Sequence, residues 1–337
     1  MGKVRIAVFG AGNWGRNHVR TLASMPDVSS VVVCDTDPTK REAIAVQVPG
    51  VETVASFDEI GDKVDGVVVA TPASVHGNIA LQAIELGLPV LVEKPLALSL
   101  DEAKTIVDAS KRADVPVLVG HLLLFHPVVI RLRELVQAGD FGDLYYLYSQ
   151  RVNLGQIRPD ENALWSFGPH DVSVAMYLLD EYPSSVSAHG QSFLQPGVED
   201  VVFMSMEFAS GRMAHMQMSW LDPHKERKLT VVGSKKMAVF DDMAPREKLR
   251  IYDKGVERPP EYRSYGESLA VREGDVLIPR VPLTEPLRAE LQHFVAVVRD
   301  GVAPVVTARD GYEVVRVLAS ASESLAGGGT MVPVSSD

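Results

Sequence analysis

Near its start the chain carries Gly10-Ala11-Gly12-Asn13-Trp14-Gly15, the spacing G-x-G-x-x-G. The motif follows the apolar run VRIAVFG (4–10) and opens a helical pattern. Asp35 stands twenty residues after Gly15, at the end of the next apolar run. In that context the spacing is a dinucleotide fingerprint. Gly10 permits the tight turn, Gly12 lets the backbone approach a pyrophosphate, and Gly15 lets helix and strand pack closely. Asn13 and Trp14 head the helix whose unpaired N–H groups and positive dipole end would face the phosphates. Asp35 is expected to accept hydrogen bonds from the ribose hydroxyls and to repel a 2′-phosphate. The cofactor expected is therefore NAD rather than NADP, although Lys40 and Arg41 lie near enough in sequence to serve a 2′-phosphate.

Two further residues could carry the chemistry of hydride transfer. Lys94 closes the run PVLVEKP (89–95), flanked by Glu93 and pinned by Pro95. Ligands of open α/β sheets lie beyond the carboxyl ends of the strands, so Thr71 and Lys94 are both expected on the nicotinamide side. A lysine there can donate a hydrogen bond to the reacting oxygen and stabilise its alkoxide character. His170 follows Gly168-Pro169, which predicts a helix over 169–179 with proline at its first turn. The helix dipole at that position would disfavour imidazolium and suit a neutral general base. The same field would favour an ionised Asp171. The plain alternatives are a surface Glu–Lys pair and a packed histidine. Among weaker candidates, His121 and His126 bracket GHLLLFHP, while Arg151 and Asn153 end an apolar run leading toward His170. The latter two read as hydroxyl or phosphate ligands. The charged stretch 224–228 reads as a turn that could cradle a diphosphate. No His, Cys or carboxylate pair has metal-ligand spacing, so no metal is expected.

The elements that must position these residues fall into two patterns. Up to residue 119, continuous β-branched runs at 4–10, 28–35, 65–71, 89–95 and 116–120 alternate with helical segments. Continuous apolar runs suit parallel strands buried on both faces. Asp37-Pro38 and Ser99-Leu-Asp-Glu102 supply helix starts. This half reads as a doubly wound α/β sheet. Beyond residue 120 comes a helix over 127–138 and a strand over 144–153. After the helix over 169–179, strands at 201–208, 212–220, 228–234 and 237–242 follow one another with hairpin turns at 208–212 and 233–236. That order predicts an α+β unit with a mostly antiparallel sheet. A loop covers 255–286, and helices at 285–300 and 308–326 close the chain. The expected domains are 1–120 for the nucleotide and 121–337 for substrate and oligomerisation, with the final helices packing back near the first domain. Met213, Met216 and Met218 read as sheet packing, with His215 and Gln217 facing outward.

Composition bounds the function. The chain has 337 residues, 46% hydrophobic and 23% charged, with a net charge of −11. Such a chain has ample core for two domains. Its acidic balance argues against nucleic-acid or anionic-membrane partners. Its one cysteine, Cys34, excludes an intrachain disulfide and a Cys-rich metal cluster. The start runs directly into a strand, and no apolar run is long enough to span a bilayer, so a cytoplasmic enzyme is expected.

With the fingerprint at 10–15, Thr71-Pro72-Ala-Ser-Val-His76, Glu93-Lys94-Pro95 and a helix-opening His170, the chain resembles the glucose–fructose oxidoreductase / inositol dehydrogenase (Gfo/Idh/MocA) family. The resemblance implies a Rossmann domain followed by an open-faced, largely antiparallel sheet. It further implies NAD(P)-dependent chemistry on a sugar or polyol hydroxyl, and a homodimer or homotetramer built through that sheet. It adds Pro72, His76 and Glu93 to the cofactor residues and supports Lys94 and His170 as catalytic. The chain departs from the family where an aspartate stands four residues before the catalytic histidine; here that residue is Ser166. Either Asp171 takes part of the missing role, or Lys94 and His170 act alone. WSFGPHD, SWLDPHKER and VVGSKKMAVFDD are similar to a nucleotide-sugar branch that oxidises a ring hydroxyl, often at C3, and this brings Trp165 among the substrate residues. An inositol or aldose dehydrogenase is the competing enzyme. An NAD-sensing regulator without catalysis is the competing class; Lys94 and His170 speak against it, and the missing aspartate speaks for it.

Overall fold

Strand and helix alternate through the first unit, which comprises Met1–Phe125 and Thr284–Arg316. The structure is a computed structural model that describes residues 2–60, 64–155, 157–158, 161–257 and 270–334. The strands are β1 (Val4–Phe9), β2 (Val28–Cys34), β3 (Glu52–Val54), β4 (Gly66–Val69), β5 (Val90–Glu93) and β6 (Val117–Gly120). They form one sheet in the order β3-β2-β1-β4-β5-β6, with every pairing parallel. Helices α1 (Asn13–Ala23), α2 (Pro38–Gln47), α3 (His76–Glu85) and α4 (Leu100–Ala113) connect them. The continuous apolar runs are buried as that topology requires, Ile6, Val8, Val33, Val68, Leu91 and Leu118 being fully or almost fully enclosed. Local signals fix the helix starts. The Asp37 carboxylate accepts the Thr39 N–H at 2.9 Å, and Ser99 Oγ accepts the Glu102 N–H at 3.2 Å.

The second unit comprises His126–Leu283 and Val317–Asp337. Its helices are α5 (Pro127–Gln137) and α6 (Ala163–Leu179). Its strands are β7 (Leu144–Val152), β8 (Pro183–Gln191), β9 (Val201–Phe208), β10 (Met213–Ser219), β11 (Glu226–Gly233), β12 (Met237–Asp241), β13 (Leu249–Glu257), β14 (Ala270–Leu277) and β15 (Val332–Pro333). The sheet order is β14-β13-β12-β11-β7-β10-β9-β8-β15; β7 and β10 pair in parallel and the other neighbours are antiparallel. Helix α7 (Pro286–Asp300) falls in the first unit, where Leu287, Leu291 and Phe294 join its core. Helix α8 (Ala308–Ala326) gives its first part to the first unit and its second part to the second. Compact packing thus follows a different division from a single cut after residue 120.

Three expectations need correction. Helix α6 starts at Ala163, six residues before Pro169, because Asn162 caps it by accepting the Trp165 N–H at 3.0 Å. Pro169 lies inside the helix, where its missing N–H only deprives the Trp165 carbonyl of its helical partner. His170 is therefore mid-helix, and an effect confined to the first turn cannot tune it. The stretch 255–286 is not one loop: β13 reaches Glu257, and β14 pairs with it from Ala270. The intervening part of that expected loop, 258–269, lies outside the described residues. Met213 is half exposed on the face opposite Met216 and Met218, which are fully buried. His215 and Gln217 point outward as expected.

One face of the central strands packs against α6. The other face is uncovered and presents Tyr146, Tyr148, Phe203 and Met213, each more than 40% exposed. Near the end of β10, Trp220 is fully buried, edge-on to Phe167 of α6 with ring centroids 6.4 Å apart. Asp200 holds this corner. Its carboxylate accepts the Trp220 indole N–H at 2.5 Å and the backbone N–H groups of Phe193 and Leu194 at 2.6 and 2.8 Å.

Replacing Asp200 with Ala leaves the buried Trp220 indole N–H and the part-buried N–H groups of Phe193 and Leu194 without their acceptor. The expected loss is about 1–3 kcal/mol, most of it from the buried indole, and Asp200→Asn should restore part of it. Chemical denaturation with Trp220 fluorescence as the probe checks this; an alanine variant as stable as the parent would remove Asp200 from the account of how α6 is held.

Candidate active site

The fingerprint turn has the geometry its glycines predict. Gly10 adopts φ +97°, and a Cβ there would lie 2.6 Å from the Ala70 carbonyl oxygen. A Cβ at Gly15 would sit 1.9 Å from the Gly10 carbonyl oxygen, so the close helix–strand approach depends on its absence. A Cβ at Gly12 would meet nothing within 4 Å. Gly12 is the N-cap of α1 and brings no side-chain acceptor to the first-turn N–H groups of the helix. Open backbone, donor groups and a dipole end together fit the pyrophosphate of NAD. Asp35 is anchored by accepting the Ala11 N–H at 2.7 Å and the Asp37 N–H at 2.9 Å. Arg41 donates to the Asp35 carbonyl at 2.6 Å and Lys40 stands 4.0 Å from Asp37, so both cations already have acceptors around this turn. The Cys34 thiol beside it is buried; burial, then Asp35 and Glu59, push it up to about 11.

At the end of β5 the carboxylate of Glu93 is a hub. Its Oε1 accepts from His18 Nε2 at 2.7 Å and from the Trp14 indole N–H, and its Oε2 takes the Lys94 N–H at 3.2 Å. Burial alone would raise its pKa, but the hydrogen bond and charge of His18, then Trp14 and Lys94, hold it below the ordinary value. Lys94 thus stands on an ionised, fully engaged support at the carboxyl end of its strand. Thr71, just past β4, keeps its buried hydroxyl without a partner among the described residues. Pro72 follows it and precedes a turn that leads into α3. His76 is 1% exposed, its Nδ1 facing the Pro95 carbonyl and its Nε2 the Thr71 carbonyl, both at 2.9 Å. Its side chain therefore positions the Thr71 and Pro95 segments. His121 is likewise buried. Burial, against Asp310 and Glu93, lowers its pKa to about 4, so it is neutral at pH 7.

In the second unit the candidates gather around the middle of α6. His170 is half-buried, and Ser166 precedes it by one turn on the same helix face. Asp171 is buried and grips Arg151, which donates from Nε at 2.7 Å and from a terminal nitrogen at 3.1 Å. The carboxylate that could have replaced the missing family aspartate is committed to an arginine. Asn153 follows β7, its N–H bonded to the Ser219 carbonyl at 3.1 Å. Trp165 spends its indole N–H on Ser322 Oγ at 3.0 Å. The sequence offered His126 and the charged stretch 224–228, which contains Arg227, but not their meeting with Arg151 and Asp242. Arg227 lies directly opposite Arg151 on β11, and Asp242 collects Arg227 at 3.7 Å, Lys248 at 3.2 Å and His126 at 3.5 Å. Only the pairing of β11 with β7 brings them together. Among the described residues, no group of three His, Cys, Asp or Glu could hold a metal ion, and no helix is long and apolar enough to cross a membrane.

Comparison with known proteins agrees with this geometry. Residues 4–121 match the family described as an oxidoreductase family with an NAD-binding Rossmann fold, GFO_IDH_MocA, and 129–239 match the GFO/IDH/MocA C-terminal domain. An inositol 2-dehydrogenase of Mycolicibacterium smegmatis is 30% identical, the match covering 97% of this chain and 95% of the relative. The solved structure of GenD2 from gentamicin A biosynthesis, in complex with NAD, is 26% identical with a TM-score of 0.83, covering 100% of this chain and 97% of the other. A UDP-N-acetylglucosamine 3-dehydrogenase of Acidithiobacillus ferrooxidans shares the fold at 22% identity and TM-score 0.80, covering 97% and 99% of the two chains.

Behind Glu93, α7 carries Glu290, fully buried, with neither carboxyl oxygen partnered among the described residues. Burial and then the charge of Glu93 push its pKa well above the ordinary value. A folded pKa above the unfolded one stabilises the fold below the unfolded pKa of about 4.3, and that stabilisation drains away as pH rises toward the folded pKa. Each pH unit in that window costs up to about 1.4 kcal/mol. Glu290→Gln, which cannot ionise, should match the parent near pH 4 and melt several degrees above it at pH 8. Equal melting temperatures at both pH values would show that Glu290 does not stay protonated in the fold.

Proposed function

We propose that this chain, which belongs to the GFO/IDH/MocA family of NAD-binding oxidoreductases, oxidises a ring hydroxyl of a nucleotide sugar. The coarser statement holds without the proposal: the chain is an NAD-dependent oxidoreductase acting on CH–OH groups of sugars or polyols. What carries the reading is Lys94, set at the end of β5 with Glu93 ionised beside it. When bound, NAD supplies the acceptor for the hydride that leaves the carbinol carbon. Lys94 donates a hydrogen bond to the carbinol oxygen and stabilises negative charge there as the C–H bond breaks. His170 accepts the hydroxyl proton, and the C–O bond becomes a carbonyl. Asp171 holds Arg151 rather than the reacting proton, so it serves as a positioning residue. Thr71, backed by His76 through its carbonyl, is assigned to the nicotinamide end, and Asp35 to the adenosine ribose. Oxidation of an inositol is the second reading, favoured by the 30% identity to an inositol 2-dehydrogenase.

Screening UDP-sugars, inositols and aldoses with NAD identifies the substrate class. With that substrate, Lys94→Ala is expected to lower kcat by about 10²–10³, and His170→Ala by roughly 10²–10⁴. His170→Ala should also erase the acidic limb of the pH–rate profile, since protonated imidazole cannot accept a proton. NAD affinity should change far less in both. Asp171→Asn should cost less than His170→Ala. Parental turnover by the Lys94 and His170 variants would overturn the catalytic assignment and favour a regulator that senses NAD.

We also infer a homo-oligomer, dimer or tetramer, assembled through the uncovered sheet face with Tyr146, Tyr148 and Phe203, because an apolar face of that kind marks an interaction surface. Light scattering should give a multiple of 36.6 kDa, and Phe203→Glu should shift the species toward the single-chain mass. A parent that runs at the single-chain mass at micromolar concentration would contradict it.

A further inference from the structure

Arg151 and Arg227 are directly opposed across the antiparallel ladder of β7 and β11. Side chains in such a pair leave the sheet on the same face, a few ångströms apart, and like charges so placed repel. Because Arg151 reaches Asp171 of α6, this is the helix-covered face rather than the open one. The surroundings do not balance the pair. Arg151 is satisfied by Asp171 through two hydrogen bonds. Arg227 has Asp242, but at 3.7 Å, and Asp242 also serves Lys248 at 3.2 Å and His126 at 3.5 Å. His126 turns its Nε2 to Asp242, because its Nδ1 accepts the Val128 N–H at 3.1 Å. Three cations (Arg151, Arg227, Lys248) thus face two carboxylates (Asp171, Asp242). One positive charge is left over, in a chain whose net charge is −11.

The surplus is presented by Arg227. Its side chain keeps 44% of its surface exposed, whereas those of Arg151 and Lys248 keep 12% and 17%. A planar guanidinium with open N–H groups suits an oxyanion that can take two parallel hydrogen bonds. The cluster also adjoins His170 through Asp171.

We propose that Arg227 is a specificity residue that receives an anionic group on the substrate, a diphosphate or a sugar carboxylate. Asp242 holds Arg227 on one side, while Arg151, opposite it on β7, is neutralised by Asp171. The proposal deepens the sugar-oxidoreductase reading by naming the charge the sugar must carry. Burial and the nearness of Arg151 make the Arg227 cation harder to maintain than usual, and an incoming anion would relieve both effects. Asp242 stays ionised through the hydrogen bond from His126 and the Lys248 ammonium, so it cannot quench the site by taking a proton near neutral pH.

The test separates anion binding from turnover. With the protein saturated in NAD, so that the dinucleotide site is filled, inorganic pyrophosphate and glucuronate are titrated calorimetrically into the parent, Arg227→Gln and Arg227→Lys. The parent is expected to bind one of the two anions, which tells diphosphate from carboxylate. Arg227→Gln should weaken that binding about 10- to 100-fold, and Arg227→Lys should recover part of it. In turnover, the ratio of kcat/KM for the charged substrate to that for a neutral polyol should fall by at least tenfold in Arg227→Gln. A parent that binds neither anion, or a glutamine variant that binds as the parent does, overturns the proposal. Failure of the sugar-oxidoreductase reading would appear instead as unchanged rates in the Lys94 and His170 variants, whatever the calorimetry gives.

Discussion

The buried carboxylate of Glu93 is the constraint on which the nucleotide-binding unit turns. It sits at the carboxyl end of a strand, where the polypeptide must leave the sheet, and joins three things. The indole of Trp14 and the imidazole of His18 belong to the phosphate-facing helix, and the amide of Lys94 belongs to the residue assigned to chemistry. Burying an ionised carboxylate costs several kcal/mol unless its lone pairs are filled, and here they are filled from two directions. The consequence is positional. Helix α1 and Lys94 are referenced to one group of atoms, so their separation is set by hydrogen-bond lengths rather than by loop conformation.

Much of this was legible in the sequence because the determinants are local. Parallel strands enclosed on both faces read as unbroken β-branched runs. The fingerprint needs only six residues and a carboxylate one strand later, and caps such as Asp37 and Ser99 act over two or three positions. What escaped notice depends on distant partners or on signals that compete. Asn162 and Pro169 both look like helix starts, and the cap prevailed because α6 buries Ala163 and Leu164 within its first turn. The sequence of β14, AVREGDVL, is too charged and too short to stand out beside its proline-rich surroundings. Glu290 occupies an ordinary amphipathic helix, where a carboxylate reads as solvent-facing, and only the packing of α7 within the first unit encloses it. The Arg151–Arg227 pair joins residues separated in the chain by α6 and the three strands β8, β9 and β10, a register no short window can reveal.

The two polar clusters answer the cost of burial differently. Around Glu93 the carboxylate's own bonds are filled, and behind it lies one carboxylic acid, Glu290, whose easiest state is uncharged. Around Asp242 and Asp171 the bonds do not close, and a cation stays exposed. A closed network gives rigidity and register, whereas an open one keeps donors for a molecule arriving from solution.

The sole cysteine has a practical meaning beyond the active site. Cys34 is enclosed in β2, and its thiol is held almost entirely in the protonated form at neutral pH, so the nucleophilic thiolate that labelling reagents require is scarce and shielded. The native chain is, for thiol chemistry, nearly silent without any substitution. A cysteine introduced on an exposed strand or helix would therefore carry a spin label or fluorophore alone, and each unit can be made to report on itself in a protein whose buried core has been left untouched.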